Sequence, residues 1–173
     1  MIRPQLRLVP PAQPDPDALV AELGPLVWSL CRRLDPDPED AAQEVWEKVL
    51  LALHRWDPAG EKPIAAWVTT ITHRHLVDRH RRRLVRGPTV EPIDVAAAAP
   101  GPERLAASRQ AAQRLEAALP LLAAEHRRVI VLHHLHGVGL DEIAAAEEVA
   151  IGTIKSRLHR ARARLMDALG GAL

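Results

Sequence analysis

Phenylalanine and tyrosine are absent from this chain, and its four aromatic residues, Trp28, Trp46, Trp56 and Trp67, all fall in the first half. The interior must therefore be mainly aliphatic. A second half without aromatics needs its own cluster of Leu, Ile, Val and Ala, so two cores are expected, each in a unit of about 70 residues. A single cysteine, Cys31, excludes an internal disulfide and a cysteine-based zinc site, and its apolar neighbours point to a buried structural thiol. No apolar run reaches the roughly 18 residues of a membrane-spanning helix, and no secretory signal is legible. A cytoplasmic protein without membrane insertion is expected. Walker loop, Gly-rich dinucleotide fingerprint and nucleophile elbow are also missing, so the reading is of a protein that is not an enzyme and uses no cofactor. No segment alternates like a strand and none repeats, which leaves an all-α fold.

What is present is charge in blocks. The net charge of +1 averages an acidic stretch over residues 35–47 against basic stretches over 74–86 and 155–164. Local fields of this kind decide partners more than the total does. Along the chain, residues 1–16 are proline-rich and read as a loose tail. Residues 17–86 form a first helical unit. Within it, Leu19, Val20, Leu23, Leu26, Val27, Leu30 and Leu34 give one amphipathic helix, and Asp35-Pro36-Asp37-Pro38 ends it and caps the next. The second helix, about 39–55, places Ala42, Val45, Trp46, Val49, Leu50 and Leu53 inward, and a third starts near Ile64. Residues 87–103 read as a linker, and residues 104–173 form a second unit with helices near 104–119, 125–136, 140–147 and 151–169.

Three faces carry chemistry. On the last helix, Ile151, Ile154, Leu158, Ala161 and Leu165 form one stripe at 100° per residue. Ser156, His159, Arg160 and Ala163 lie opposite, flanked by Thr153, Arg157 and Arg164 on one side and by Lys155 and Arg162 on the other. No acidic residue occurs between Val149 and Met166. With the short helix and turn before it, this is a helix-turn-helix whose second helix can enter a DNA groove; a merely solvated basic helix is the alternative. On the second helix, Asp40, Glu44, Glu47 and Leu51 recur at helical spacing, with Gln43 and His54 at the edge. A solvated face explains the carboxylates but not the leucine, and a docking surface for a basic helical partner explains both. The third helix ends in six arginines from Arg74 to Arg86 against Asp78 alone, a surplus suited to phosphate. The imidazoles of His73, His75, His80, His133, His134 and His136 lack acidic or cysteine ligands at metal spacing, so solvated or phosphate-adjacent side chains are expected there.

These residues together resemble a family. Glu39-Asp40-Ala41-Ala42-Gln43-Glu44-Val45-Trp46, then Ala66-Trp67-Val68 with Ile71, Asp78 and Arg81, resembles region two of bacterial extracytoplasmic-function sigma factors. Leu119-Pro120, Arg127 through Leu132, Glu142-Ile143-Ala144 and Gly152-Thr153-Ile154-Lys155-Ser156-Arg157 is similar to their region four. The resemblance implies a dissociable promoter-specificity subunit of the minimal two-domain type, with core RNA polymerase (β-prime and β subunits) and promoter DNA as partners and an anti-sigma factor as a further candidate. By the same resemblance, Asp40, Gln43, Glu44, Glu47 and Leu51 dock on polymerase. Trp56, Lys62, Arg74, Arg79, Arg81, Arg82 and Arg83 serve the minus-ten element, and Thr153, Lys155, Ser156, Arg157, His159, Arg160 and Arg162 the minus-thirty-five element. Two departures stand out: Arg74 occupies a position where the family often has Asn, and Glu147-Glu148 replaces the usual Leu-Gly before the recognition helix. The competing reading is a helix-turn-helix repressor or activator that binds operator DNA without polymerase.

Overall fold

The computed structural model describes residues 14–60, 62–86 and 104–170, with the side chains of 86, 104–109 and 111 left aside. Most of the expected tail and the whole expected linker, 87–103, lie outside the described residues. Among the described residues seven α-helices follow in order: α1 (Pro16–Leu34), α2 (Pro38–Ala52), α3 (Ile64–Arg86), α4 (Arg104–Ala118), α5 (Ala124–Ile130), α6 (Leu140–Glu147) and α7 (Ile151–Ala168). Short 3₁₀ turns follow α2 and α4, and a π-helical turn, Val131–Leu135, prolongs α5. Among the described residues there is no strand.

The punctuation is local chemistry. Asp15 caps α1 by accepting from the Ala18 N–H at 3.1 Å, and Pro16 stands in the first turn, where its missing N–H costs nothing. Asp37 caps α2 with Pro38 behind it, and Glu39 and Asp40 favour the positive end of the helix dipole. Pro25 lies inside α1 on its exposed side, where water can hydrate the carbonyl left without a donor.

α1 packs on α2 and α3; α7 packs on α4, α5 and α6. Leu19, Leu23, Val27 and Leu30 of α1 close over Ala41, Val45 and Val49 of α2 and Val68 and Leu76 of α3. In the second unit, Val129, Ile130 and Leu132 meet Ile143 and the α7 stripe Ile154, Leu158, Ala161 and Leu165. Each fully buried aliphatic contributes about 1.5 to 3 kcal/mol of transfer free energy. Three expectations are corrected. The buried stripe of α2 runs through Ala41, Val45, Val49 and Leu53, one step round from the anticipated one, so that Ala42 and Trp46 are half-buried and Leu50 is exposed. Ile151, at the first turn of α7, is exposed, because the stripe starts one turn later. The two cores are not separate: α3 packs against α6 and α1 against α5, and the buried aliphatics form one continuous cluster.

Candidate functional site

α7 presents the acid-free stretch from Thr153 to Arg164 to solvent. Thr153, Lys155, Ser156, His159, Arg160 and Arg162 are exposed, while Ile154, Leu158, Ala161 and Leu165 are buried beneath them. The start of α7 and α5 border a cleft lined by Glu125, His126, Thr153, Ser156 and Arg160. The face is not uniformly free. Arg157 Nη1 donates to Glu147 Oε2 at 2.5 Å, and Arg162 Nε donates to His134 Nε2 at 3.1 Å. His134 is thus an acceptor and must be neutral there; burial first, then the Arg162 charge, lowers its pKa to match.

The turn before α7 survives the Glu147-Glu148 substitution. Glu148 adopts the left-handed conformation, φ 54° and ψ 43°, that glycine takes without strain, and its N–H closes the helix onto the carbonyls of Ala144 and Ala145. Glu147 is buried, and its carboxylate accepts from Arg128 Nε at 3.1 Å as well as from Arg157. Burial opposes its ionisation, yet His73, Arg128 and Arg157 overcome that cost and hold its pKa at about 2.

On α2, Gln43, Glu47 and Leu51 are exposed, Leu51 to 77%, and Asp40 and Glu44 share that surface. The two carboxylates have a second task. Arg79 of α3 is buried and donates to Asp40 Oδ2 at 2.8 Å, to Glu44 Oε1 at 2.5 Å and to Asp35 Oδ2 at 3.2 Å. Arg83 donates to both oxygens of Asp35, at 2.9 and 2.5 Å, and the Asp37 N–H adds a fourth bond at 3.0 Å. Asp35, 1% exposed between α1 and α2, is the residue that sequence reasoning missed; it was seen only as a helix stop. Its visible signal was a carboxylate directly before a proline at the end of an amphipathic helix, with a row of arginines later in the same unit. The expectation that the whole arginine row meets phosphate is corrected accordingly. Arg79 and Arg83 lie on the inward side of α3 with Val68, Thr72 and Leu76, whereas Arg74 and Arg82 lie on the solvent side. Arg82 meets Asp78 through the backbone carbonyl, Nε to O 3.3 Å, and not through its carboxylate.

Two of the remaining minus-ten candidates, Lys62 and Arg81, face the second unit. Lys62 Nζ donates to Glu142 Oε1 at 2.5 Å, and Arg81 donates to Glu148 Oε2 at 3.0 Å and to the Glu147 carbonyl at 2.6 Å. Trp56 Nε1 donates to the Lys62 carbonyl at 3.3 Å, fixing the loop between α2 and α3. His73 and His75 are buried rather than solvated: His75 Nε2 stands 2.8 Å from Glu44, and His73 Nε2 3.9 Å from Glu147 on the other side of the helix. No group of three or more metal-ligating side chains comes together among the described residues.

Comparison with known proteins bears on these faces. Residues 19–84 match the family model described as Sigma-70 region 2, and residues 112–165 match Sigma-70, region 4. Over 164 residues the chain is 33% identical to the ECF RNA polymerase sigma factor SigE of Mycolicibacterium smegmatis, covering 91% of this chain and 63% of that protein. It is 33% identical to the RNA polymerase sigma-E factor of Streptomyces avermitilis over 141 residues, 80% of this chain and 75% of that one. The fold is similar to that of the sigma factor RpoE of Bartonella quintana, solved in complex with the anti-sigma factor NepR. The TM-score is 0.67 at 26% identity, over 89% of this chain and 96% of that one.

Proposed function

The chain belongs to the extracytoplasmic-function sigma factors, which bind core RNA polymerase and direct it to promoters, and from that premise we propose how its surfaces divide the work. The α2 face of Asp40, Gln43, Glu44, Glu47 and Leu51 docks on core polymerase. The loop from Trp56 to Lys62 and the α3 residues Arg74, Arg81 and Arg82 engage the minus-ten strand. The α7 residues Thr153, Lys155, Ser156, Arg157, His159, Arg160 and Arg162 meet the minus-thirty-five duplex. Arg79 and Arg83 contribute by holding α3 on α1 and α2, which aims its solvent side at DNA. As a specificity subunit the chain supplies contacts and no bond chemistry, works in the cytoplasm, and is itself a target for an anti-sigma factor, as in the solved relative. No helix among the described residues is long and apolar enough to cross a membrane.

The observation that carries this reading is Leu51, 77% exposed amid carboxylates on α2. An operator-binding regulator has no use for that face, whereas a large apolar side chain ringed by charge suits the centre of a docking patch. Leu51→Asp with Glu47→Arg avoids the Arg79 partners and leaves the fold intact. The pair should weaken association with core polymerase by about 1 to 3 kcal/mol, read by native gel shift, and reduce run-off transcription in parallel. Undiminished core binding with unchanged transcription would remove the assignment of this face.

A further inference from the structure

The side of α3 that carries Thr70, His73, Val77 and Arg81 is a single stripe, at i, i+3, i+7 and i+11. Lys62 reaches it from the preceding loop, its Nζ donating to Thr70 Oγ1 at 2.7 Å. Charge and hydroxyl donors of this kind, in a row along a helix, suit the phosphates of a nucleic-acid strand. In the free chain the row is already taken. Glu142 accepts from both Lys62 and Thr70 at 2.5 Å; the Glu147 carbonyl and the Glu148 carboxylate accept from Arg81; the buried Glu147 carboxylate stands opposite His73. Val77 is buried under the contact. Two independent observations mark the arrangement as built for exchange. His73 is 1% exposed, yet neither ring nitrogen has a hydrogen-bond partner. Glu148 keeps its carboxylate at a left-handed position where glycine would be free of strain.

We propose that the carboxylates of Glu142 and Glu148, with the backbone carbonyl of Glu147, are an internal stand-in for DNA phosphates: the acidic edge of α6 occupies the Lys62–Thr70–Arg81 row of α3, so the free chain is latched and the promoter strand must displace these acceptors to seat. The proposal rests on the reading that α3 meets the minus-ten strand. It is asymmetric. The exposed face of α7 stays accessible in the latched chain, so duplex contact at the minus-thirty-five element precedes opening, and the single strand is accepted only once α6 has moved away. Competition among like charges sets the order, with no energy source beyond binding itself.

The test uses the full chain. Glu142→Gln with Glu148→Gly removes two latch carboxylates, and the glycine relieves the left-handed strain, so folding is preserved. Asp141→Asn with Asp167→Asn, both exposed and outside the latch, removes the same charge. Nitroxides on Glu22→Cys and Met166→Cys report the distance between units by pulsed electron resonance. Fluorescence anisotropy reports binding of a labelled mixed-sequence single strand of roughly 20 nucleotides. Each exposed ion pair accounts for up to about a fivefold factor. The latch variant should therefore bind the strand about tenfold more tightly and show a longer, broader distance distribution, and the charge-matched control should do neither. An unchanged distance, or a control that matches the latch variant, overturns the proposal. Arg74→Ala with Arg82→Ala separates the two levels. If that pair weakens strand binding while unlatching does not strengthen it, the latch fails and the minus-ten reading stands. If neither pair changes strand binding, the minus-ten reading of α3 falls and the proposal with it.

Discussion

Asp35 and Glu147 show what a buried carboxylate does in a basic protein. Each is surrounded by guanidinium groups from other helices, so each is neutralised by distant sequence, and each becomes a liability when a partner is lost. Truncating Arg79 leaves Asp35 buried with Arg83 as its remaining cation and frees Asp40 and Glu44 to repel one another. Arg79→Ala should cost about 3 to 5 kcal/mol in urea unfolding, the range for breaking a buried pair. Arg82→Ala, on the solvent side of the same helix, should stay within about 0.5 kcal/mol. Glu147 gives the pH counterpart. Its folded pKa of about 2 lies below the ordinary 4.5, so its contribution is fully present above about pH 4.5 and is lost as pH falls towards 2. The loss is on the order of 3 kcal/mol, and wild-type stability should fall more steeply through that window than that of Glu147→Gln. Parallel curves for the two proteins would show that the carboxylate is not the titrating group.

At the scale of the elements, boundaries were legible and rotations less so. Prolines, aspartate caps and apolar spacing placed α1, α2, α3, α6 and α7 to within a few residues, because those signals are local. The buried side of α2 was misjudged by one step, since Trp46 and Leu50 read as interior by hydropathy while the packing of α1 admits the smaller Ala41 instead. Arg79 was misjudged for a related reason. An arginine in a basic run reads as solvated, and only the third dimension brings Asp35, Asp40 and Glu44 around it. The α7 stripe was legible from its second turn onward, which permits a test of its outward face. Arg160, in the middle of that face, should contact a base edge: Arg160→Ala costs about 1 to 3 kcal/mol on the preferred minus-thirty-five sequence and flattens discrimination there. Lys155, on the flank, should contact phosphate, so Lys155→Ala weakens all sequences alike and reduces the salt slope by about 1. Holoenzyme binding to matched and mutated elements across a salt series distinguishes the two roles, and retained discrimination in Arg160→Ala would require the helix to be rotated in the groove.

For the whole molecule, the aromatic deficit becomes a reporter. Trp28, Trp46 and Trp67 lie on α1, α2 and α3 and Trp56 in the loop between the last two, so tryptophan fluorescence follows the first unit alone while far-ultraviolet dichroism follows both. The apolar cluster is continuous, but the links between α3 and α6 are mainly ionic and are screened as the Debye length shrinks from about 10 Å at 0.1 M salt to about 3 Å at 1 M. In urea at low salt the two signals should report one transition. In 1 M sodium chloride the fluorescence midpoint should separate from the dichroism midpoint. Separate midpoints already at low salt would mean that the contact between units does not couple them. What sequence alone could not supply was this contact, because each ion pair in it joins residues about 70 to 80 positions apart. Cys31 carries a last consequence. Burial on the inner side of α1, with the Asp35 charge second, pushes its pKa from 9.0 up to about 12, so the thiolate that reacts with oxidants is far scarcer than in a free thiol. The 173 residues hold no other cysteine. The folded chain therefore offers peroxide no reactive thiol, and a thiol-based response to oxidative stress routed through it has to originate in the chemistry of a partner.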